Sequence, residues 1–443
     1  MLKAGFISLG CAKNLVDTEV MLGLLAANQI KLTDNPQEAD ILIINTCSFI
    51  ESAKEESITT ILQMAEYKKQ GNCKCLIVAG CLGQRYQQDL LDELPEVDAI
   101  VGTGDWHRIM EAINSTMNDK KRVLLVGETN TIYDETMPRI NTTPFYSAYV
   151  KVAEGCSNCC SYCVIPKVRG SFRSRKMESI VTEVKNLVAN GVKEVNLIAQ
   201  DTTSYGRDLY GAAKLTDLLK ELVKIDGLMW IRLLYCYPKH FSNELIELIA
   251  TESKICKYID LPLQHANDTI LKSMLRQDSR KDIENLLDTL RSRIPGITVR
   301  TSFIVGFPGE TEAHFEDLRQ FVMDQKFDRV GVFTYSQEED TIAANLPNQV
   351  SDEVKQERYH NLMTLQCQIS EQLNQELEGT VLDVLIEQVN TEPEIVVSGR
   401  SYREAPDVDG QIYVEKATNC RPGDVIKVKI VQGFTYDVVA EKL

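Results

Sequence analysis

The chain has 443 residues, 44% of them hydrophobic and 25% charged, with a formal net charge of −16. Ordinary globular composition at this length allows two to four domains, and the acidity favours a basic protein partner over a long phosphate backbone, which usually meets a basic face. No stretch reaches membrane-span length and Met1–Cys11 lacks a signal-peptide pattern, so the thirteen cysteines suit a reducing, cytoplasmic setting as metal or cluster ligands.

Apolar, β-branched runs at Ala4–Leu9, Ile41–Asn45 and Leu76–Ala79 alternate with helical patterns near Asp17–Ala27 and Ser52–Lys69. This alternation predicts an N-terminal parallel-sheet α/β domain over residues 1–127. Cys11, Cys47 and Cys81 each follow a predicted strand, 36 and 34 residues apart. Ligands gather beyond the C-terminal strand ends of open parallel sheets, so one edge would present three thiols. Three ordinary buried cysteines would be the plainer reading.

A Thr-, Asn- and Pro-rich stretch at 128–144 reads as a linker. Six further strands are predicted at Ala148–Val152, Glu194–Ala199, Trp230–Tyr235, Tyr258–Leu261, Thr298–Val305 and Arg329–Tyr335, with helical patterns between them. Six βα units over 145–375 imply an open (β/α)6 partial barrel with ligand sites at its C-terminal strand ends. Ser351–Leu377 reads as a long amphipathic helix. From 376 to 443 short strands and Gly-containing turns predict a small antiparallel β-barrel.

Directly after the first strand of the second sheet comes Cys156-x3-Cys160-x2-Cys163. Thiolates suit iron–sulfur clusters, and three of them leave one iron of a 4Fe–4S cube open to a small molecule. Zinc is the competing ligand, because Cys156/Cys159 and Cys160/Cys163 are formally two Cys-x2-Cys pairs; these abut, whereas zinc pairs are separated by an intervening segment. Cys159 is then a surplus thiol. Cys73, Cys75, Cys159, Cys236, Cys256, Cys367 and Cys420 read as small buried hydrophobes.

The Cys-x3-Cys-x2-Cys loop, with Tyr162 before its last cysteine, resembles the radical S-adenosylmethionine (AdoMet) signature. Taken with the three upstream strand-end cysteines and the terminal β-barrel, the whole chain resembles the methylthiotransferases, whose last domain is of TRAM type. Leu9–Asp17, Asn45–Cys47, Ala79–Cys81, Glu154–Cys156, Gln200-Asp201 and Phe303–Glu310 carry the match. The resemblance implies two 4Fe–4S clusters, one on Cys156, Cys160 and Cys163 and an auxiliary one on Cys11, Cys47 and Cys81. It also implies an AdoMet pocket bordered by Tyr162, Gln200, Asp201, Gly306, Pro308, Gly309 and Glu310. Two AdoMet molecules would be used, one as radical source and one as methyl donor, with sulfur carried on the auxiliary cluster.

Two branches of that family compete. One modifies an adenosine of tRNA; the other, RimO-type, modifies the β-carbon of an aspartate in small-subunit ribosomal protein twelve. Arg400–Gly410 and Leu261–Ala266, with His265, resemble the second branch. The segment from Glu376 carries 13 Asp/Glu against 7 Lys/Arg, which suits a basic ribosomal protein and makes nucleic acid a secondary partner at most. His265 also has a plain reading as a satisfied structural histidine. The chemistry requires a one-electron reductant such as a flavodoxin. A rival from another class is a non-catalytic iron–sulfur electron carrier with an RNA-binding barrel; such carriers normally fill all four cluster positions with protein ligands.

Overall fold

The computed structural model describes residues 1–390, 396–415 and 417–443. Glu392, Glu394 and Lys416, part of the charge count above, lie outside the described residues. The first sheet has six parallel strands: β1 (Lys3–Ser8), β2 (Lys31–Leu32), β3 (Ile41–Thr46), β4 (Cys75–Gly80), β5 (Ala99–Val101) and β6 (Val123–Leu125). Their order is β2-β1-β3-β4-β5-β6. The three longest strands follow the apolar runs seen in sequence. The short β2, β5 and β6 carry too few residues to show a period. β3 and β4 are buried along their whole length, as central parallel strands covered on both faces must be. The chain reverses its direction of travel across the sheet between β1 and β3, which opens a crevice at their C-terminal ends.

The second sheet is also parallel and runs in sequence order through β7 (Ser147–Lys151), β10 (Glu194–Ile198), β11 (Trp230–Leu233), β12 (Ile255–Asp260), β13 (Thr298–Val305) and β14 (Arg329–Thr334). Two short strands, β8 (Ala153–Glu154) and β9 (Arg173–Ser174), pair antiparallel between β7 and β10. This is the open six-stranded partial barrel the sequence predicted. Its outer face packs on helices through Val150, Val195, Ile231, Ile259 and Val299. Its inner face contributes Tyr149, Ile198, Leu234 and Tyr258 to a second core shared with Val16 and Val20 of the Ala12–Ala27 helix. The N-terminal unit therefore packs against the inside of the partial barrel.

The stretch 128–144 carries no helix or strand but is strapped down. Arg139 bridges Glu19 at 2.6 Å and Glu183 at 2.6 Å, and the Thr142 N–H donates to Glu19 at 2.6 Å. The helix Asp352–Gln375 matches the amphipathic segment of the sequence. It leads into a closed barrel of β15 (Val381–Asn390), β16 (Val396–Arg400), β17 (Ile412–Glu415), β18 (Val425–Gly433) and β19 (Val438–Lys442). Alternating Val384, Ile386, Val428 and Ile430 fill it.

The barrel is docked by buried charge. Glu194 of β10 is fully buried between Arg232 at 3.0 Å and Arg400 at 2.8 Å. Burial pushes its carboxyl up, but Arg400 and Arg232 outweigh that and hold it at about 2. Residues 401–410, between β16 and β17, lie over the inner face: the Tyr149 and Tyr258 hydroxyls donate to Asp407 at 3.1 Å and Asp409 at 2.6 Å. Among the described residues, no helix is long and apolar enough to cross a membrane.

Candidate active site

Cys11, Cys47 and Cys81 converge at the crevice where the first sheet reverses. Gly10 (φ +86°) brings the Cys11 turn so close to Cys47 that an added Cβ would lie 2.9 Å from the Cys47 Cβ. Gly80 (φ +90°) leads into Cys81, and a Cβ there would lie 2.2 Å from Asn45 Oδ1. Only glycine serves at either point, since both need a positive φ and no side chain. Cys81 opens the Cys81–Glu93 helix, whose N-terminus favours a thiolate. Burial pushes the Cys47 thiol up to about 12, with Cys81 and Cys11 adding repulsion. Burial also raises Cys81 against the pull of Arg169. For Cys11, Lys13 and Arg169 outweigh burial and the thiol is lowered. Cys11 is exposed and lines an open cavity.

The compact loop is held from three sides. The Cys156 N–H donates to Gly170 O at 3.1 Å, the Ser161 N–H to Met274 O at 3.0 Å, and the Ala343 N–H to Ser161 O at 2.8 Å. Burial pushes the Cys156 thiol up to about 11, Asp201, Cys160 and Cys159 adding to it, and raises Cys163 with help from Cys160. Cys159 is exposed and sits at φ +53°. Of the thiols expected to be buried, Cys73, Cys75, Cys236 and Cys256 are, but Cys367 and Cys420 are half-buried and Cys159, on its positive-φ turn, is exposed. Cys367 lies 2.9 Å from the Tyr436 hydroxyl, so a side-chain hydrogen bond replaces apolar packing there.

A buried ionic network joins the two cysteine sites. Lys151 of β7 contacts Asp17 and, at 2.6 Å, Glu154. Arg169 reaches Asp17 at 2.8 Å, Glu154 at 3.1 Å and the Asn14 side chain. Burial would raise the Glu154 carboxyl, but Arg169 and Lys151 hold it well below the usual carboxylate range. Asn14 and Asp17 follow Cys11 at helical spacing, and Glu154 stands two residues before Cys156. The network fixes one cysteine site relative to the other. The matched segments held Asn14, Asp17 and Glu154 but not Lys151 or Arg169, and revealed this role for none of them.

A cavity of about 630 Å³ has walls that include Cys11, Tyr162, Tyr235, Asp260, Arg300 and Asp407; of the six expected cluster ligands, Cys11 is the one in its lining. Tyr162 is thus in the wall. The other expected AdoMet neighbours lie outside this lining. Gln200 donates to Glu154 at 2.7 Å. Asp201 accepts from Asn158 at 2.9 Å and lines a separate polar recess of about 260 Å³ with His240. Gly306 (φ +73°), Pro308 and Gly309 form the turn after β13, and the Gly306 N–H donates to Glu310 at 3.0 Å. Glu310 is buried against Arg358 at 2.9 Å and stands 3.5 Å from His265 Nε2. His265 is fully buried and its Nδ1 accepts from the Asn267 N–H at 3.0 Å, which leaves the ring proton on Nε2 facing Glu310. In this fold His265 ties the turns after β12 and β13 together.

Among the described residues, no three His, Cys, Asp or Glu side chains are arranged to hold one metal ion. A 4Fe–4S cube asks for something else: each thiolate binds a different iron, so the sulfurs stand farther apart than the ligands of a single ion. In one group Cys47 and Cys81 feel the charge of Cys11, with Lys13 and Arg169 beside it, and in the other Cys156 and Cys163 feel Cys160; both groups fit such cubes in chemistry and charge.

A six-stranded parallel partial barrel with this cysteine loop at its C-terminal edge defines a radical AdoMet protein. Family models agree: the radical SAM superfamily matches residues 150–322, the uncharacterised protein family UPF0004 residues 3–102, and the TRAM domain residues 379–442. The fold resembles the radical AdoMet methyltransferase TsrM from Kitasatospora setae, with TM-score 0.56 at 14% identity over 75% of this chain and 72% of that one. It also resembles the cobalamin-dependent AdoMet radical enzyme OxsB, with TM-score 0.53 at 12% identity over 84% and 56%. The chain is 53% identical to the ribosomal protein uS12 methylthiotransferase RimO of Geotalea uraniireducens over 99% of its own length and 98% of the relative's. It is 54% identical to that of Desulforamulus reducens over 99% and 98%. The chain belongs to the RimO family of radical AdoMet methylthiotransferases.

Proposed function

We propose that this chain attaches a methylthio group to the β-carbon of an aspartate in the small-subunit ribosomal protein uS12. One observation carries the reading: Cys11 of one three-cysteine site and Tyr162 of the loop that carries the other line the same cavity, and buried ion pairs tie the two cysteine-bearing segments together. An aspartate β-hydrogen is far too weak an acid for a side-chain base at neutral pH, so the bond demands radical chemistry. When bound, two 4Fe–4S clusters and AdoMet supply hydrogen abstraction, sulfur and the methyl group.

The chain's own residues do the rest. Cys156, Cys160 and Cys163 hold one cluster, and Cys11, Cys47 and Cys81 the other. Lys13 and Arg169 offset the thiolate charge at the second. Tyr162 walls the shared cavity, and Gln200, Asp201 and the Gly306–Glu310 turn shape the surroundings of AdoMet. Residues 1–127 form the auxiliary-cluster unit, 128–144 the strap, 145–375 the radical AdoMet core and 376–443 the TRAM barrel. That barrel brings Asp407 to the cavity and offers an acidic face to a basic substrate protein. The reaction draws electrons from a one-electron donor of flavodoxin type and takes place in the cytoplasm, where ribosomal proteins and low-potential donors are found.

The test is anaerobic turnover of the reconstituted protein with AdoMet, reductant, sulfide and uS12, read by intact-mass spectrometry. The reading predicts replacement of one hydrogen of uS12 by a methylthio group. An unchanged uS12 alongside methylthiolated tRNA would overturn it.

A further inference from the structure

A substrate aspartate brings a carboxylate into the cavity, and a carboxylate leaves water readily only for a cation or several donors. Of the charged side chains in the cavity wall, Asp260, Glu338 and Asp407 are acidic and Arg300 is basic. Arg300 projects from β13. Its Nη1 donates to Asp260 Oδ1 at 3.0 Å and its Nε lies 3.4 Å from Asp409 Oδ1.

Both acids are themselves held. Asp260 accepts from the Tyr235 N–H at 2.9 Å, while Asp409 accepts from the Tyr258 hydroxyl at 2.6 Å and the Ala405 N–H at 2.9 Å. The guanidinium plane is therefore set before any substrate arrives, which lowers the ordering cost of binding. Among the described residues its Nη2 makes no hydrogen bond to protein, and the side chain stays 18% exposed.

A second cation lies close by. The Lys13 ammonium sits 3.2 Å from the centroid of the Tyr235 ring, and Tyr235 is the residue whose backbone holds Asp260. Lys13 is only 6% exposed and forms no salt bridge with a carboxylate among the described residues. Lys13 thus packs on Tyr235, and Arg300 pairs with the Asp260 that Tyr235 holds.

We propose that Arg300 receives the carboxylate of the substrate aspartate through its free Nη2 edge. This rests on the reading of the substrate as an aspartate residue. Arg300 is then a specificity-determining residue: it anchors the carboxylate so that the adjacent β-carbon faces the two cysteine sites. Asp409 gives the TRAM barrel a part in that choice, because it orients the anchor from the loop following β16.

The experiment compares wild type, Arg300→Lys and Arg300→Met, all carrying both clusters, on uS12 and on a uS12 variant with asparagine at the target position. Arg300→Met should raise the KM and the dissociation constant for uS12 roughly ten- to hundredfold, the range of one charge-assisted hydrogen bond. Iron content and AdoMet affinity should stay at wild-type values, and 5′-deoxyadenosine should form without product. Arg300→Lys should recover part of the loss, and wild type should favour aspartate over asparagine where Arg300→Met does not.

Arg300→Met with wild-type KM and an intact aspartate preference would overturn the assignment. So would a loss confined to AdoMet affinity, which would give the guanidinium to the methionine carboxylate instead. If Arg300→Met does not fold, equal use of aspartate and asparagine by the wild type overturns the proposal without any variant. Wild type that modifies no form of uS12 would overturn the functional reading itself. Product from wild type with an unaffected Arg300→Met would overturn the Arg300 assignment alone.

Discussion

The two cysteine sites are built in opposite ways. One is a loop of eight residues, Cys156 to Cys163, pinned by hydrogen bonds to Gly170, Met274 and Ala343. The other draws on three strand ends spread over seventy residues, brought together by the register of β1, β3 and β4. A local site keeps its ligand spacing as long as its loop is held. A topological site exists only where the whole sheet is correct. The first should therefore fail through its ligands, and the second through its sheet as well.

The largest separation comes from the ligands. Cys156→Ala should form no 5′-deoxyadenosine above background, and with it no methylthiolated product. Cys47→Ala should still cleave AdoMet but yield no product. Chromatography of 5′-deoxyadenosine beside mass spectrometry of uS12 separates the two, and equal 5′-deoxyadenosine from both variants, or methylthiolated product retained by both, would erase the division of labour.

Gly80→Ala probes the sheet without touching a ligand. Gly80 is at φ +90° and an added Cβ meets Asn45 Oδ1 at 2.2 Å, so a destabilisation of about 1–3 kcal/mol is expected. Iron should fall by about half, with the loss confined to the site on Cys11, Cys47 and Cys81, since the other site does not depend on this turn. Chemical denaturation with iron analysis checks both.

The docking of the third unit gives a pH signature. Glu194 is held at about 2 against an ordinary value of 4.5, because Arg400 and Arg232 outweigh burial. A depressed carboxyl contributes stability that is fully present above 4.5 and is lost as pH falls from there toward 2. The urea midpoint should therefore drop across that window, by about 1–3 kcal/mol from this group. Glu194→Gln should be less stable at neutral pH and show a shallower slope. The smallest effect belongs to Cys159→Ser: an exposed thiol outside the Cys-x3-Cys-x2-Cys spacing should change stability by less than about 0.5 kcal/mol and leave iron content intact.

The contrast also explains what could be read without coordinates. The compact loop was legible because its ligands lie within one short span. The dispersed set was legible because strand ends recur at βα spacing, although the switch between β1 and β3 needed the strand order. Short β2, β5 and β6 left no period to detect, and the segment 128–144 looked like a tether because composition does not show that Arg139 finds Glu19 and Glu183. Asp17, Lys151, Glu154 and Arg169 are scattered through the chain as ordinary charges; only the packing of the Ala12–Ala27 helix into the partial barrel makes them one network. Arg300 was hidden for the same reason, since strand alternation marks an inward residue but not the cavity it lines.

The most direct test of the account counts iron and sulfide in three reconstituted proteins: wild type, the triple variant Cys11→Ala, Cys47→Ala, Cys81→Ala, and the triple variant Cys156→Ala, Cys160→Ala, Cys163→Ala. Two independent sites predict half the wild-type iron in each triple variant, with AdoMet perturbing the cluster spectrum only where Cys156, Cys160 and Cys163 remain. Full iron in either variant, or its complete loss from one of them, would contradict two separate clusters with separate tasks.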